Sequence, residues 1–419
     1  MNRRLTGLWR HPDFVRLWAG QTVSVFGSLV SRTALPFTAI IYLHASAFQV
    51  ALVTSSDLVA GIIVGLVAGV WADRIRRRPL MIAADLGRAV ALGSIPAVAL
   101  FGELRVEQLY VVAFTAGVLT TFFDVAYQSY LPTLVRQDEL IEGNSKLTAS
   151  FSVAEFGAFS ASGWLVQLLT APGAIVIDAV SFLFSASSIR TIRAPEPAPA
   201  TGERPRLHIE ALEGMRHLGG DPALRAVTAS FVALSFASGM TGAVFILYTN
   251  RTLGFAPGVL GVIFGVGGLS SLGGAMLAGW SSRRFGVGGA MALGLGIAGV
   301  GMLAVAGARD ASLFAAGLLV AQQLITDPAW TVYEISQVSL RQAMTPAHLL
   351  GRANAAVRLA GLIAALAGSL IAGAIADRYG ARPVLVASSC VMFAGAALIF
   401  ASAAGRVREL PSDAGSAPA

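Results

Sequence analysis

The chain has 419 residues, of which 55% are hydrophobic and only 13% charged, and its mean hydropathy is +0.70. Charge at about half the soluble average, with so much apolar content, excludes an ordinary soluble core. The formal net charge of +7 would suggest nucleic acid in a soluble chain, but the bases cluster between apolar runs, where they orient a membrane protein. No nucleic-acid partner is expected. The single cysteine, Cys390, leaves no disulfide framework, and neither cysteine nor histidine is grouped at metal-ligand spacing. No metal and no cofactor are expected.

Apolar runs recur at the roughly 20-residue length that about 30 Å of hydrocarbon demands. The start MNRRLTGLWRHPDFVRLW places bases before a run too long for a signal peptide, and is read as an uncleaved first span. Spans are expected near 14–43, 48–72, 80–102, 107–131, 143–170 and 172–192, then 223–250, 257–281, 287–308, 311–336, 351–375 and 382–405. This is an all-α integral membrane protein with twelve transmembrane helices in two six-helix halves, 1–193 and 223–405. APEPAPATGERPR from Ala194 opens a cytoplasmic linker over 194–222, in which Leu207 to Leu218 reads equally as a short interfacial helix or a partly ordered loop. The tail, 406–419, is expected to be disordered.

Charge bias sets the orientation. One side collects Arg3, Arg4, Arg10, the bases from Arg74 to Arg78, Arg136, Lys146, six arginines from Arg190 to Arg225, Arg283, Arg284, Arg341, Arg352, Arg406 and Arg408. The other holds Arg105, Arg251, Arg309, Arg378 and Arg382. Both termini are therefore expected in the cytoplasm, with the protein in the plasma (inner) membrane.

An internal repeat organises these spans. An offset of 210 residues maps Gly69 to Gly279, Pro12 to Pro222, Arg74 to Arg284, Asp124 to Glu334, Asn144 to Asn354 and Gly163 to Gly373 in one gap-free register. Matched glycine, proline, asparagine and charge argue for duplication, and parallel halves place a substrate site near the midplane between them.

The loop GVWADRIRRRP, Gly69 to Pro79, resembles the loop between helices 2 and 3 of the major facilitator superfamily, with Gly69, Asp73, Arg74, Arg77 and Arg78 on the family pattern and Arg76 where a glycine is expected. The resemblance implies a gating motif in which the glycine permits close packing and the acid sits against a helix N-terminus. Its second copy, GWSSRRFG from Gly279, has Arg283 at the acid position, which confines the acid's role to the first half. GAIADRYGARP from Gly373 matches the pattern better than the first loop does, yet by span count it lies on the outside. The stretches LPTLVRQDELIEGNS from Leu131, VSLRQAMTPAHLLGRANAAVRLAG from Val338 and DLGRA from Asp85 look like the bacterial siderophore and macrolide exporter branch. Two departures weaken proton coupling relative to export. FSASGW from Phe159 is a degenerate form of the glycine-proline motif of antiporters, and YVVAFTAG from Tyr110 lacks the arginine of many proton-coupled members.

Charges inside a bilayer cost roughly 3 kcal/mol each on insertion scales, so the intramembrane ones mark either pairs or function. Reflection about the turn at Ser46 brings Arg32 and Asp57 to depths differing by about 4–5 Å. The same operation pairs Asp124 with Lys146 about Val135, and Glu334 with Arg358 about Thr345. These read as gate fasteners or structural ion pairs, and Glu142 and Arg352 as candidates for a bridge between halves. Asp178 is expected near enough to the outer interface to reach water. Glu155 and Asp327, the latter followed by Pro328, have no base at matching depth and are the proton-coupling candidates, or else neutral acids bonded to backbone. Gln322, Gln323, Trp330 and Tyr333 are substrate-cavity candidates, although at helical spacing some must face packing.

The resulting expectation is a monomeric secondary transporter exporting amphipathic small molecules by alternating access, with a proton gradient as energy source. No G-x-x-x-x-G-K-[ST] phosphate loop is present, so ATP is not the direct energy source, and no nucleophile, base and orienting-acid set marks an enzyme. A lipid flippase, a solute importer, or a non-transporting receptor or scaffold of the same fold are the alternatives.

Overall fold

The computed structural model describes residues 7–72, 75–136, 139–196 and 207–410, with backbone alone for 66–72, 141, 207–212 and 347. Thirteen helices follow one another among the described residues, and they are α1 (Pro12–Phe37), α2 (Ala47–Ala72), α3 (Arg77–Leu100), α4 (Val106–Leu134), α5 (Leu140–Leu169), α6 (Ala171–Arg190), α7 (Leu207–Gly220), α8 (Pro222–Leu247), α9 (Pro257–Phe285), α10 (Val287–Gly307), α11 (Leu313–Met344), α12 (Ala347–Tyr379) and α13 (Ala381–Ala401). Twelve correspond to the expected spans. The thirteenth, α7, resolves the open question over Leu207 to Leu218 in favour of a helix. It packs on α12, where Leu218 is buried with Ala353, Ala356 and Val357.

The 210-residue repeat reappears in how helices begin and end. Pro12 and Pro222 each occupy the first turn, where a missing amide costs nothing, and His11 and Asp221 cap those turns from the preceding position. Asp221 Oδ1 accepts from the amides of Ala223 (2.8 Å) and Leu224 (2.9 Å). Both helices close in a five-residue π-helical turn, Thr38–Tyr42 and Tyr248–Thr252, at matched positions. At another matched pair the copies differ. Gly380 (φ +83°) ends α12, whereas Thr170 (φ +69°) ends α5 in the same left-handed region and uses its hydroxyl to cap Gly173 at 3.3 Å.

Among the described residues ten helical spans are long and apolar enough to cross a membrane, and α5 and α11 are the two long helices left out. Both are long enough, at 30 and 32 residues, so composition is what sets them apart. They carry Glu155 and Asp327. A polar spanning helix is tolerated where protein or water covers it.

Contacts divide the chain into two compact units. The first comprises Met1–Ala45, Ser56–Arg204 and Ala256–Gly265, and its core gathers Phe14, Leu17, Met81, Phe123, Tyr130 and Ile189. The second comprises Ser46–Ser55, Pro205–Phe255 and Val266–Ala419, with a core of Val227, Leu234, Met291, Leu295, Tyr333, Leu340, Met392 and Ile399. Small residues bring the helices close, as lipid-embedded packing requires. In the second unit a Cβ on Gly368 would stand 2.1 Å from the Phe236 carbonyl, and one on Gly239 2.0 Å from that of Ala365, which locks α12 to α8.

Candidate functional site

Asp327 sits on α11 against the part of α9 that belongs to the second unit. A Cβ on Gly267 would stand 2.2 Å from Asp327 Oδ2 and 2.3 Å from Gln323 Nε2, so the glycine provides the seat for both side chains. Ser270 Oγ donates to the Gln323 carbonyl at 2.7 Å, and a Cβ on Gly274 would meet the Pro328 carbonyl at 2.5 Å, so α9 follows the proline closely. Asp327 is half-buried, and among the described residues no cation acts on it. Glu155, on α5 of the first unit, is likewise half-buried and has no ion pair among the described residues.

The remaining cavity candidates divide. Gln323 adjoins Asp327, but Tyr333 is fully buried and its hydroxyl bonds Ser230 Oγ at 2.8 Å, which makes it core. Trp330 packs half-buried on that core. Gln322 is 3% exposed, and its Oε1 has no hydrogen-bond partner.

Two expected ion pairs take other partners. Lys146 lies 3.2 Å from Glu142 on its own helix and 4.4 Å from the Trp9 ring centroid, so its salt bridge is made within α5. Glu142 also accepts from the Leu8 amide at 3.1 Å, a local tie within the first unit. Glu334 takes its hydrogen bond from Gln337 Nε2 (3.0 Å), whose Oε1 accepts from Arg341 Nη1 (2.6 Å), while Arg341 Nε donates to Asn354 Oδ1 (3.1 Å). Residues at i, i+3 and i+7 share one helix face, so α11 supplies the partner itself and Arg358 stays exposed. Arg352 bonds Glu213 of α7, within the second unit. Arg32 and Asp57 lie near enough for their charges to interact but form no salt bridge, and Asp57 Oδ1 instead packs 2.7 Å from where a Gly117 Cβ would stand.

Of the loop motif, Asp73 and Arg74 lie outside the described residues, as does the side-chain environment of Gly69. Arg78 fastens the end of α6, donating from Nε to the Ile189 carbonyl (3.2 Å) and from Nη2 to that of Arg190 (2.5 Å). Glu196 accepts from the Arg77 and Arg78 amides and so caps α3. The start of the expected linker is thus tied down, and Ala194 N also donates to Asp13 Oδ2 at 2.9 Å. The second match to the motif has its own task. Asp377 accepts from Ser46 Oγ (2.9 Å) and the Ala47 amide (2.6 Å) at the start of α2, the end remote from the 73–79 loop.

The first unit also holds a buried charge cluster that opposing charges by depth does not reveal. Asp85 and Arg88 on α3 form a buried salt bridge, 0% and 5% exposed. Arg88 lies between the Phe123 and Phe182 rings, at 4.5 and 4.1 Å from their centroids. Asp178 on α6 is 1% exposed and accepts from Ser28 (3.3 Å) and Ser181 (3.2 Å), so it does not reach water. The i, i+3 spacing of Asp85 and Arg88 inside an apolar run was the signal available.

Residues 17–369 match the family model described as Major Facilitator Superfamily. The chain belongs to the Major Facilitator Superfamily. Its long apolar helices and family make it a multi-pass membrane protein of a transporter family. The chain is 25% identical over 421 residues to the multidrug efflux pump Tap of Mycolicibacterium fortuitum, covering 97% of this chain and 98% of that one. It is 29% identical over 188 residues to macrolide efflux protein A of Streptococcus pyogenes, a match spanning 44% of this chain and 45% of that relative's length. Among solved structures the nucleoside transporter NupG superimposes with a TM-score of 0.75 at 14% identity, covering 93% and 98% of the two chains. A bacterial homologue of the iron transporter ferroportin gives 0.70 at 17%, covering 93% and 100%. These likenesses establish the superfamily fold of twelve transmembrane helices.

Proposed function

We propose that the chain is a secondary active exporter of amphipathic small molecules, driven by the proton gradient across the plasma membrane, with both termini cytoplasmic. The observation that carries this reading is the seat of Asp327. A carboxyl on one of the two long helices that lack a continuous apolar span, beside a glutamine amide and with no described cation acting on it, is suited to exchange a proton against substrate. Full-length similarity to a multidrug efflux pump supports the direction and the substrate class. Glu155, on the other such helix, is the second coupling candidate, and Gln323 the polar contact beside the first. No coordinated cofactor enters the scheme.

The test uses purified protein in proteoliposomes with an imposed pH gradient and an amphipathic cation such as ethidium as substrate. Wild-type protein is expected to accumulate it against the gradient. Asp327→Asn is expected to abolish gradient-driven transport while leaving substrate binding and energy-independent exchange in place. Full gradient-driven transport in the Asp327→Asn, Glu155→Gln double variant would remove both carboxyls from the mechanism. Everted vesicles fix the direction, and uptake in place of extrusion would favour an importer.

A further inference from the structure

A cavity of about 660 Å³ opens in the second unit where α9 ends, α10 begins, and the segment after α13 passes α11. Its rim carries Arg283, Arg284 and Arg408 against one acid among the described residues, Glu409. Among the described residues none of the three arginines forms a salt bridge. Three guanidinium groups in one concavity repel one another unless an anion joins them.

The wall supplies hydroxyls. Ser282, Ser336 and Ser339 line the cavity, and Ser336 is 3% exposed with its Oγ lacking any hydrogen-bond partner. A buried hydroxyl left unbonded costs free energy, and an oxygen-rich ligand in the cavity would satisfy it. The position is specific to this copy of the repeat. At the matched places of the first half stand Ala126 for Ser336, Ala72 for Ser282 and Asp73 for Arg283, so two of the three hydroxyls and one of the cations are absent there, while Ser129 matches Ser339.

The backbone at the rim is already committed. Val287 N donates to the Arg408 carbonyl (3.2 Å) and Gly288 N to that of Val407 (3.0 Å), which spends the first amides of α10 and fixes Arg408 at the opening. Recognition therefore falls to the side chains. Beside the arginines the lining residue Phe285 is 47% exposed and its edge-to-face neighbour Trp280 is 53% exposed, an apolar flank along α9.

We propose that this cavity binds a phosphate-bearing anion, held by Arg283, Arg284 and Arg408 and accepting from Ser336. The same chemistry belongs to an anionic phospholipid headgroup, whose acyl chains would lie along Phe285 and Trp280, and to a free phosphate compound.

The test measures the melting temperature of the full-length chain in detergent as dihexanoyl phosphatidylglycerol, dihexanoyl phosphatidylcholine or inorganic phosphate is titrated. Phosphatidylglycerol is expected to raise Tm at concentrations where phosphatidylcholine does not. Arg283→Gln and Arg408→Gln should each shift the titration midpoint about fivefold to higher ligand, while Arg190→Gln, at the end of α6, leaves it in place. Ser336→Val, which removes the hydroxyl and fills space without touching a charge, should weaken binding with ligand-free Tm kept, and so serves if an arginine variant folds poorly. Inorganic phosphate that raises Tm and competes with phosphatidylglycerol would identify a free phosphate compound as the ligand; phosphate without effect would identify the lipid. The proposal fails if neither probe raises Tm, if the arginine and serine variants keep the wild-type midpoint, or if Arg190→Gln loses as much as Arg283→Gln.

Discussion

The three-helix core of α3, α4 and α6 in the first unit and that of α10, α11 and α13 in the second are copies built on opposite principles. Asp85, Arg88 and Asp178 of the first stand where the second has Leu295, Ala298 and Ser388. Phe123 and Phe182, the rings around Arg88, correspond to Tyr333 and Met392. All five residues of the second set are fully or almost fully buried, with Tyr333 bonded to Ser230 and Met392 in the core. One copy thus holds its centre with charge and the other with packing, so this helix arrangement has no intrinsic need of an ionic centre. Buried ion pairs are a poor source of net stability because desolvation offsets the Coulomb gain. The cluster in the first unit is better understood as a feature added to a fold that stands without it.

The largest effect expected from this difference comes from breaking the cluster halfway. Arg88→Met leaves Asp85 and Asp178 buried with no cation beside them, and should cost about 3–5 kcal/mol, seen as a lower melting temperature in detergent. Replacing all three at once, Asp85→Leu with Arg88→Ala and Asp178→Ser, imports the residues of the other copy. That variant should recover most of the loss or exceed wild type by about 1–4 kcal/mol. A triple variant as unstable as Arg88→Met would show that the first core cannot adopt the second's packing, and the comparison would break. Transport by a stable triple variant would then report whether the charges serve function.

A second contrast lies on α4 and α11. In the second unit Gln337, 1% exposed, relays between Glu334 and Arg341. At the matched position of the first unit is Tyr127, stacked on Phe123 with centroids 6.0 Å apart. Gln337→Leu should cost about 1–3 kcal/mol, since it takes a hydrogen bond from half-buried Glu334 and one from buried Arg341, which keeps its bond to Asn354. Tyr127→Phe keeps the stacking and should stay within about 0.5 kcal/mol of wild type. Equal destabilisation by the two would mean that the relay contributes no more than the ring contact does.

These networks show where reading the sequence works and where it stops. Span number, the repeat and the family follow from apolar length, matched glycines and prolines, and the loop at Gly69, because each is a one-dimensional pattern. Opposing charges by depth about a turn is less sound, since it fixes height and leaves azimuth free. Lys146 and Glu334 both find partners on their own helix, three or four residues away, which reflection about a turn cannot reveal. Asp178 looked near enough to the interface for water, yet Gly27 opposite it, with a Cβ position 2.8 Å from Asp178 Oδ1, lets α1 cover it. The seat of Asp327 was legible only as the absence of a base at its depth. The glycine that shapes it lies on a different helix, 60 residues away in sequence.

The smallest expected effect separates two capping contacts related by the same offset. Asp377 accepts from Ser46 and the Ala47 amide at the start of α2, and its counterpart Gln167 accepts from the Gly258 amide at the start of α9 at 3.1 Å. Each lies within a single unit, so the two can be compared as local helix-terminus interactions. The geometry is shared and the charge is not. A carboxylate gains from the helix dipole where an amide oxygen gains only the hydrogen bond, a difference of about 0.3–1 kcal/mol at an exposed terminus. Asp377→Gln, which gives α2 the acceptor that α9 already has, should therefore lower stability by about that much. Asp377→Ala removes the acceptor as well and should approach the cost of about 1 kcal/mol typical of a lost N-terminal cap. Raising the salt concentration should shrink the first difference and leave the second, because screening acts on the charge and not on the bond. Identical melting temperatures for Asp377→Gln and wild type at low salt would mean that the two contacts are equivalent and that the carboxylate at 377 adds nothing to what an amide supplies.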